Sequence, residues 1–488
     1  MGAGKGTRTV DVAVIGAGFG GIAAGAQLKR NGFHDFAILE KHGEVGGTWW
    51  ENTYPGCACD VPSHLYSLSS HLNPDWSDTF ASQPEILQYL KDSARALGIT
   101  PHIRFRCEVE DARWNDEASL WELETSRGPL RARFLVSASG PFAEPSVPKI
   151  DGIADYRGKT FHSSRWDHDY DLAGKRVAVV GTGASAIQFV PEIRRRAARV
   201  TVFQRTAPWI MPRGSRPMRG WEKALLRAVP GANRLRRTAL YWGRESWAVG
   251  FLNPSVMRRA QRLSHLHLRR QVRDPETRRR LTPDYTMGCK RVLLSNDYWR
   301  AFNHDDTELV TSPLRHMDAD SLTTADGVRH EADAVIWGTG FHVTDPPVAH
   351  LITGRGGRTL AERWTPTMSA YKSTTVPGFP NLFMLLGPNS ALGHNSVVLM
   401  IEAQLKQVMK VLKHMRRTGS RSIEPTEAAL DDYRASVGRR MKGTVWVAGG
   451  CDSWYLDSAK NPSTVWPGFV PQFWAAQSRL RLDHYTVR

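Results

Sequence analysis

Cysteine is scarce in this chain of 488 residues. The five cysteines are Cys57, Cys59, Cys107, Cys289 and Cys451. Their odd number and wide spacing argue against a disulfide framework of the kind that small secreted domains use. Cys57 and Cys59 form the one close pair, and without a second pair they are poor evidence for zinc. We therefore expect no disulfide framework, no metal site and a reduced, cytoplasmic setting.

Long uninterrupted apolar runs are also missing. The most apolar stretch, 10–28, contains Asp11 and several glycines. It therefore predicts a strand, a tight turn and a helix instead of a membrane span or a secretory signal peptide.

Acidic residues are outnumbered, with 48 Asp and Glu against 65 Lys and Arg, for a net charge of +17. Residues 213–281 hold 18 of the basic residues and only 4 acidic ones. Three interpretations stay open: a solvated helical face, a surface for acidic lipids or nucleic acid, or a funnel for an anionic cofactor. Because no nucleic-acid motif accompanies the charge, we expect no nucleic-acid partner. Peripheral membrane contact through the basic helices and the oligomeric state are left open.

The composition is otherwise that of a globular protein, with 41% hydrophobic and 23% charged residues. This length predicts two to four domains around large cores. Tryptophan is abundant, with 17 residues. We expect most of them to pack in cores, although Trp also suits cofactor and aromatic-substrate pockets.

The clearest pattern is an internal duplication of strand, glycine-rich turn and helix. The first copy has the strand 10–15 followed by Gly16, Gly18 and Gly21, and the second has the strand 176–180 followed by Gly181, Gly183, Ser185 and Ala186. In dinucleotide-binding units the first glycine makes the turn, the second lets the backbone approach the pyrophosphate, and the third position must be small for packing. The helix N-terminus then faces the phosphates. Two such units in sequence are strong evidence for two dinucleotides.

The two copies differ at the end of their second strand. In the first copy this strand ends on Glu40, and in the second copy it ends on Arg205. Each of these residues lies 24 positions after the first glycine of its turn. A carboxylate accepts hydrogen bonds from ribose hydroxyls, whereas an arginine suits a 2′-phosphate. The first site is therefore expected to bind FAD and the second NADPH.

We expect an α/β fold with two Rossmann-like domains and a helical insertion in the second. The FAD domain is predicted to be discontinuous, at 1–148 and 380–488, and the NADPH domain to comprise 149–212 and 284–379. Residues 213–283 form the Arg-rich helical insertion, in which Leu263, Leu266 and Val272 recur at helical spacing.

Two segments resemble a known family. The stretch 46–60, Gly-Gly-Thr-Trp-Trp-Glu-Asn-Thr-Tyr-Pro-Gly-Cys-Ala-Cys-Asp, matches the GGxWxxxxYPGxxxD pattern of class B flavoprotein monooxygenases. The stretch 156–167 resembles the FxGxxxHxxxW[PD] signature of Baeyer–Villiger monooxygenases, with Tyr156 in place of the usual Phe. Trp166 and Asp167 favour the Baeyer–Villiger branch over the heteroatom-oxidising relatives.

The resemblance implies a role for individual residues. Arg291 corresponds to the active-site arginine, and Asp60 to the carboxylate that tunes it. Lys290 and Arg205 correspond to ligands of the NADPH phosphate, and Trp454 to the tryptophan near the nicotinamide. The segment Gly47, Thr48 and Trp49 belongs to the flavin site. Gly158, His162, Trp166 and Asp167 form the signature, where His162 is expected to lie between domains without reacting directly.

The expected activity is insertion of one oxygen atom from O2 next to a ketone carbonyl, through a C4a-peroxyflavin, to give an ester or lactone. The substrate is expected to be a small hydrophobic ketone or a sulfide. The alternative is an N- or S-oxygenase that uses a C4a-hydroperoxyflavin. A flavin disulfide reductase is disfavoured because the sequence has no CxxC pair.

Overall fold

The structure is a computed structural model, which describes residues 7–488. Its strands are β1 (Arg8–Ile15), β2 (Phe36–Leu39), β3 (Ile103–Arg104), β4 (Val109–Asn115), β5 (Leu120–Thr125), β6 (Leu130–Ser137), β7 (Lys159–His162), β8 (Arg176–Val180), β9 (Arg199–Phe203), β10 (Ile210–Met211), β11 (Leu293–Leu294), β12 (Thr307–Val310), β13 (Leu314–Met317), β14 (Ser321–Thr324), β15 (Arg329–Glu331), β16 (Ala334–Trp337), β17 (Ile352–Thr353), β18 (Leu382–Met384), β19 (Ile423–Pro425) and β20 (Tyr485–Val487).

The helices connect and cover these strands. They are α1 (Phe19–Arg30), α2 (Thr48–Glu51), α3 (Gln83–Ala96), α4 (Ala186–Ile193), α5 (Gly220–Ala228), α6 (Ala232–Glu245), α7 (Ala248–Leu252), α8 (Pro254–Gln271), α9 (Pro275–Arg280), α10 (Tyr298–Ala301), α11 (Val348–Leu351), α12 (Leu360–Trp364), α13 (Val397–Thr418), α14 (Glu427–Met441), α15 (Val445–Ala448) and α16 (Val470–Gln477). No helix within residues 7–488 combines the length and apolar character needed to cross a bilayer.

The first sheet has the strand order β17-β4-β5-β6-β1-β2-β3, and β18 also pairs with β6. Its centre is parallel, with Val12 of β1 opposite Phe36 of β2 and Phe134 of β6. The side chains of 12–14 are fully buried. Strands buried on both faces read as continuous apolar runs, which explains why β1 and β6 are recognisable in the sequence.

The second sheet is parallel throughout, in the order β12-β9-β8-β16-β7. In both sheets the glycine-rich turn leaves the carboxyl end of a central strand, β1 or β8, and leads into a helix, α1 or α4. This edge is where open α/β sheets bind ligands. The expected α/β fold with two Rossmann-like units is therefore confirmed.

The chain returns to the first sheet earlier than the predicted boundary at residue 380. Strand β17 already pairs with β4, with Ile352 opposite Ala112. Val348 and Leu360 also pack in the same apolar core as β4 and β5. The boundary was placed too late because β17 has only two residues, too few to show a period-2 pattern. The rest of the domain division stays a prediction.

The Arg-rich insertion folds into helices α5 to α9, between β10 and β11. These two short strands pair with each other, Ile210 opposite Leu293, and so close the base of the insertion. Its residues Leu263 and Leu266 do lie on a helix, but both are exposed instead of facing a core.

One disulfide, Cys289–Cys451, is present, and the expectation of a reduced setting without a disulfide framework did not foresee it. Its sulfur atoms are 2.02 Å apart, and the two residues are separated by 162 positions. The other three cysteines are free and buried. Sequence spacing could not show this pair, because the fold brings together the loop after α9 and the loop after α15.

Candidate active site

The first glycine-rich turn lies against the segment that carries the GGxW motif. A Cβ atom at Gly21 would lie 1.9 Å from the carbonyl oxygen of Gly16, so only glycine fits there. A Cβ atom at Gly47, whose φ is +54°, would lie 3.1 Å from the Cα atom of Gly18. The next residues, Thr48 and Trp49, open helix α2. The turn is tight, and Gly18 and Gly47 face each other without side chains. This leaves room for a pyrophosphate at the N-terminus of α1.

Glu40 lies at the carboxyl end of β2 and is 3% exposed. One carboxylate oxygen accepts a hydrogen bond from the backbone N–H of Ala17 at 2.7 Å, and the other accepts one from the backbone N–H of His42 at 2.9 Å. Each oxygen retains a second lone pair. The carboxylate is therefore anchored beside the turn and can still accept ribose hydroxyls.

The second turn repeats this construction. A Cβ atom at Gly181 would lie 2.4 Å from the carbonyl oxygen of Gly338, while Gly183 has only one neighbour atom within 4 Å, at 3.9 Å. Ser185 precedes the first turn of α4. Arg205 follows β9, is exposed, and lines an open surface depression together with Arg279 and Arg280 and the carboxylates Glu276 and Asp284.

Lys290 lies close to Arg205. Burial lowers the pKa of the Lys290 ammonium, and the positive charge of Arg205 lowers it further. No carboxylate within the described part of the chain forms a salt bridge with either cation, although Asp284 and Asp452 act on Lys290 from longer range. Two neighbouring cations without a salt bridge suit a phosphate, which Arg binds through a planar fork and Lys as a point charge.

Arg291 and Asp60 form a bidentate ion pair. Nε and Nη2 of Arg291 each donate a hydrogen bond to a different oxygen of Asp60, both at 2.7 Å. The side chains are 31% and 24% exposed, so the pair is partly open to solvent. The residues are 231 positions apart in the chain. The fold therefore brings together the end of the YPGxxxD motif and the loop that precedes β11.

The charges at this pair are strongly coupled. Burial alone would raise the pKa of Asp60, but the charge and hydrogen bonds of Arg291, together with the charge of Arg244, hold that pKa below its ordinary value. Asp60 in turn raises the pKa of the Arg291 guanidinium above its ordinary range. Both groups are consequently ionised at neutral pH, and the arginine is a fixed cation.

The GGxW–YPG segment also contacts the second nucleotide-binding unit. The hydroxyl of Tyr54 donates to Oε1 of Gln188 on α4 at 3.0 Å, and Nε2 of Gln188 donates to the carbonyl of Ala58 at 2.9 Å. A Cβ atom at Gly56 would lie 2.7 Å from the Gln188 carbonyl oxygen. Trp49 is buried and donates to the hydroxyl of Tyr66 at 3.2 Å. The motif thus packs between the two units.

The signature segment 156–167 occupies β7 and the loops on either side of it. A Cβ atom at Gly158 would lie 2.3 Å from the Tyr156 hydroxyl oxygen, which explains the glycine beside an aromatic residue. The ring of Trp166 packs against Phe189 of α4, with ring centroids 5.3 Å apart. Asp167 forms a salt bridge with Lys159 at 2.5 Å.

His162 is buried at the end of β7. Its Nδ1 atom lies 2.9 Å from the Ser164 hydroxyl, and its Nε2 atom has no protein partner among the described residues. Burial lowers its pKa to about 4, so the ring is neutral at physiological pH. Its ring contacts Phe341, with centroids 5.4 Å apart, and through Phe341 and Phe142 it connects to Trp454.

Trp454 is half-buried in the loop that the disulfide holds. It packs against Tyr455, with ring centroids 4.2 Å apart. Cys451 and Cys289 bring this loop next to the chain that carries Lys290 and Arg291. The structure therefore places Trp454 on a loop that adjoins the loop of Lys290 and Arg291.

Three further residues touch this site but were missed by sequence reasoning. Nη2 of Arg244, on α6, donates to the Asp60 carbonyl at 3.1 Å. Tyr455 is fully buried near Arg291, and its hydroxyl has no hydrogen-bond partner within the described chain. Gln188, on α4, binds the Tyr54 hydroxyl and the Ala58 carbonyl. Arg244 stands in a run of many arginines and Gln188 belongs to no motif, so no local signal could have identified these two. Tyr455 directly follows Trp454, and that neighbour was the only signal for it.

The fold and site define a flavin- and nicotinamide-dependent oxidoreductase. Two glycine-rich turns leave space for two pyrophosphates, Glu40 suits the ribose of the first dinucleotide, and Arg205 with Lys290 suits a 2′-phosphate on the second. The residues present thus fit FAD and NADPH.

Comparisons with known proteins agree. Residues 13–230 match a family model described as pyridine nucleotide-disulphide oxidoreductase. A Baeyer–Villiger monooxygenase of Streptomyces coelicolor is 48% identical over 98% of this chain and 92% of its own length. Another, from Pseudomonas aeruginosa, is 44% identical over 98% and 91%. The closed crystal structure of cyclohexanone monooxygenase matches with a TM-score of 0.89 and 29% identity, over 99% of each chain. OTEMO in complex with FAD and NADP matches with a TM-score of 0.88 and 28% identity, over 99% and 100%.

The chain belongs to the Baeyer–Villiger monooxygenase family. The expected cofactors, FAD and NADPH, and the preference for this branch over an N- or S-oxygenase are confirmed.

Proposed function

We propose that this monooxygenase converts a small, uncharged, hydrophobic ketone into an ester or lactone, and that it also accepts sulfides. The observation that carries the proposal is the bidentate Arg291–Asp60 pair, which provides a fixed cation beside two dinucleotide sites. Oxygen insertion next to a carbonyl builds negative charge on oxygen, and a preorganised cation stabilises such charge. The Streptomyces coelicolor and Pseudomonas aeruginosa relatives, which are Baeyer–Villiger monooxygenases, support the proposal.

FAD would be held by Gly16, Gly18, Gly21, Glu40 and the Gly47–Trp49 segment. NADPH would be held by Gly181, Gly183, Ser185, Arg205, Lys290 and Trp454. Together the two cofactors supply the electrons that activate O2. The protein itself contributes binding, orientation and electrostatic stabilisation.

Arg291 is proposed as the catalytic cation. A cation in a partly dehydrated site interacts with a developing negative charge more strongly than it would in water. Asp60 holds the guanidinium plane in one orientation through two hydrogen bonds. Arg244 acts as a positioning residue because it binds the Asp60 backbone carbonyl. These contacts keep the arginine in place without reorganisation during the reaction.

The signature residues are proposed to have a structural role between the two nucleotide-binding units. His162 has its pKa lowered to about 4 by burial, which makes it a poor proton donor at neutral pH. Trp166 packs against α4. We also propose that the enzyme acts in the cytoplasm, although the Cys289–Cys451 disulfide is of a kind that is rare there.

The test is to supply the purified FAD-loaded enzyme with NADPH and, in parallel, an aliphatic or cyclic ketone, a sulfide and an amine. We expect an ester or lactone from the ketone, a sulfoxide from the sulfide at lower kcat/KM, and no N-oxide. Oxidation of the amine with no product from any ketone would contradict the proposal.

A further inference from the structure

The Arg-rich insertion exposes most of the large apolar side chains on this protein's surface. Fourteen such side chains are exposed within residues 7–488, and ten of them lie between Trp221 and Leu266. All three exposed tryptophans, Trp221, Trp242 and Trp247, belong to this set, whereas the other fourteen of the 17 tryptophans are buried or half-buried. Exposed apolar residues that are scattered singly over a surface are ordinary, but a cluster of this kind calls for an explanation. The cluster lies in the insertion.

The exposed apolar residues form stripes along helices. On α5 they are Trp221 and Leu225, four positions apart, and Val229 follows just beyond the end of the helix; on α6 they are Leu235 and Trp242, with Ala239 between them; on α8 they are Val256, Leu263 and Leu266. Residues at these spacings share one helix face. Leu235, Trp221 and Trp242 are 72%, 61% and 58% exposed. We call the exposed apolar stripes of α5, α6 and α8, with the basic residues beside them, the insertion face.

The insertion face has cations and no accessible carboxylate. Between residues 219 and 271 there are twelve Lys and Arg against only Glu222 and Glu245, and both glutamates are buried. Exposed arginines that form no salt bridge within the described residues are Arg219, Arg234, Arg258, Arg259, Arg262, Arg269, Arg270 and Arg273. The surface therefore combines amphipathic aromatic side chains with an unbalanced positive charge.

The opposite side of α6 is fixed to the body of the enzyme. Arg237 forms a salt bridge with Glu402 at 3.1 Å, and Arg244 donates to the Asp60 carbonyl at 3.1 Å. Glu245 accepts hydrogen bonds from the Asn395 side chain and the Val470 backbone. The stripe of Leu235 and Trp242 is consequently displayed on a helix that is held in place, not on a mobile tail.

We propose that the insertion face docks on the surface of a lipid bilayer that contains anionic lipids. Tryptophan and leucine enter the headgroup region while arginines bind anionic headgroups, the combination that interfacial helices use. Pairing two copies through this face would set like charges against each other, since a two-fold interface repeats the same patch. A nucleic acid would neutralise the positive charge but would not bury the exposed leucine and valine side chains.

The test is flotation of the FAD-loaded enzyme with vesicles of phosphatidylcholine alone and vesicles that also contain phosphatidylglycerol. We expect binding to the anionic vesicles only, weakened as salt is added because the charges are exposed. Leu235→Ser with Trp242→Ser should lower the partition coefficient roughly 100-fold, about tenfold for each exposed apolar side chain lost. The matched control, Val328→Ser with Leu482→Ser, removes two exposed apolar residues outside the insertion and should bind like the parent.

A second variant tests the charge. Arg259→Gln, Arg262→Gln and Arg270→Gln together should weaken binding about 100-fold, since each basic residue near an anionic surface contributes roughly a factor of five. FAD content and turnover with a water-soluble ketone should match the parent for every variant, which separates lost docking from misfolding. Failure to bind anionic vesicles would overturn the proposal. So would a concentration-dependent dimer that Leu235→Ser with Trp242→Ser abolishes, because the face would then be an interface between copies.

Discussion

Replacing Arg291 by alanine removes the one guanidinium that holds two 2.7 Å hydrogen bonds to Asp60. Loss of a single preorganised stabiliser of negative charge typically lowers a rate by about 10²–10³, or about 2.7–4 kcal/mol. We expect kcat/KM for ester formation to fall by this factor. The glycine-rich turns and Glu40 are untouched, so FAD should remain bound.

The same substitution leaves Asp60 without its main partner. Breaking a fully buried ion pair costs about 3–5 kcal/mol. This pair is 24–31% exposed and Arg244 still approaches the Asp60 backbone. After allowing for solvent screening, we expect unfolding to become easier by only about 1–2 kcal/mol. The variant should therefore fold, and lost activity can be assigned to chemistry.

The assay is quantification of ester product beside NADPH consumption and flavin absorbance. Arg291→Lys is the matched variant: it keeps the charge but loses the planar fork, and should retain partial activity. NADPH consumption by Arg291→Ala should continue with release of H2O2. Ester formation within a factor of about three of the parent would remove Arg291 from the proposed mechanism.

Arg205→Ala should raise the KM for NADPH and narrow the preference for NADPH over NADH, measured by steady-state kinetics; an unchanged preference would refute the phosphate assignment. Because burial lowers the pKa of His162 to about 4, the unfolded chain takes up a proton between pH 6.5 and 4 that the native ring does not. Urea unfolding should therefore show that His162 lowers the free energy of unfolding by up to about 3 kcal/mol as the pH drops over this range. His162→Gln should flatten that dependence, and an equally steep profile would contradict the assignment. Thiol titration of the denatured protein should count three thiols before reduction and five after it; five before reduction would exclude the disulfide.

The nucleotide-binding units were predictable because their signals are local. Each needs an apolar strand, small residues where Cβ atoms would collide, and a charged residue at the end of the next strand. The small residues are Gly21 and Gly181, where an added Cβ would lie within 2.4 Å of a backbone oxygen.

The remainder depended on tertiary contacts that no local pattern contains. The Arg291–Asp60 pair was expected only through family resemblance, since its members are 231 residues apart. The disulfide was missed for the same reason, with 162 residues between its cysteines. Helical spacing in the insertion predicted helices correctly. It did not show that Leu263 and Leu266 face solvent, because periodicity identifies a helix face without showing what covers it.

The central claim is that this enzyme transfers one oxygen atom from O2 to a ketone. The most direct measurement is the mass of the product formed from NADPH, a cyclic ketone and ¹⁸O2. The account predicts a lactone that carries one ¹⁸O atom, in a yield that matches the NADPH consumed. A lactone without the label, or NADPH consumption that gives only H2O2 across a range of ketones, would contradict it.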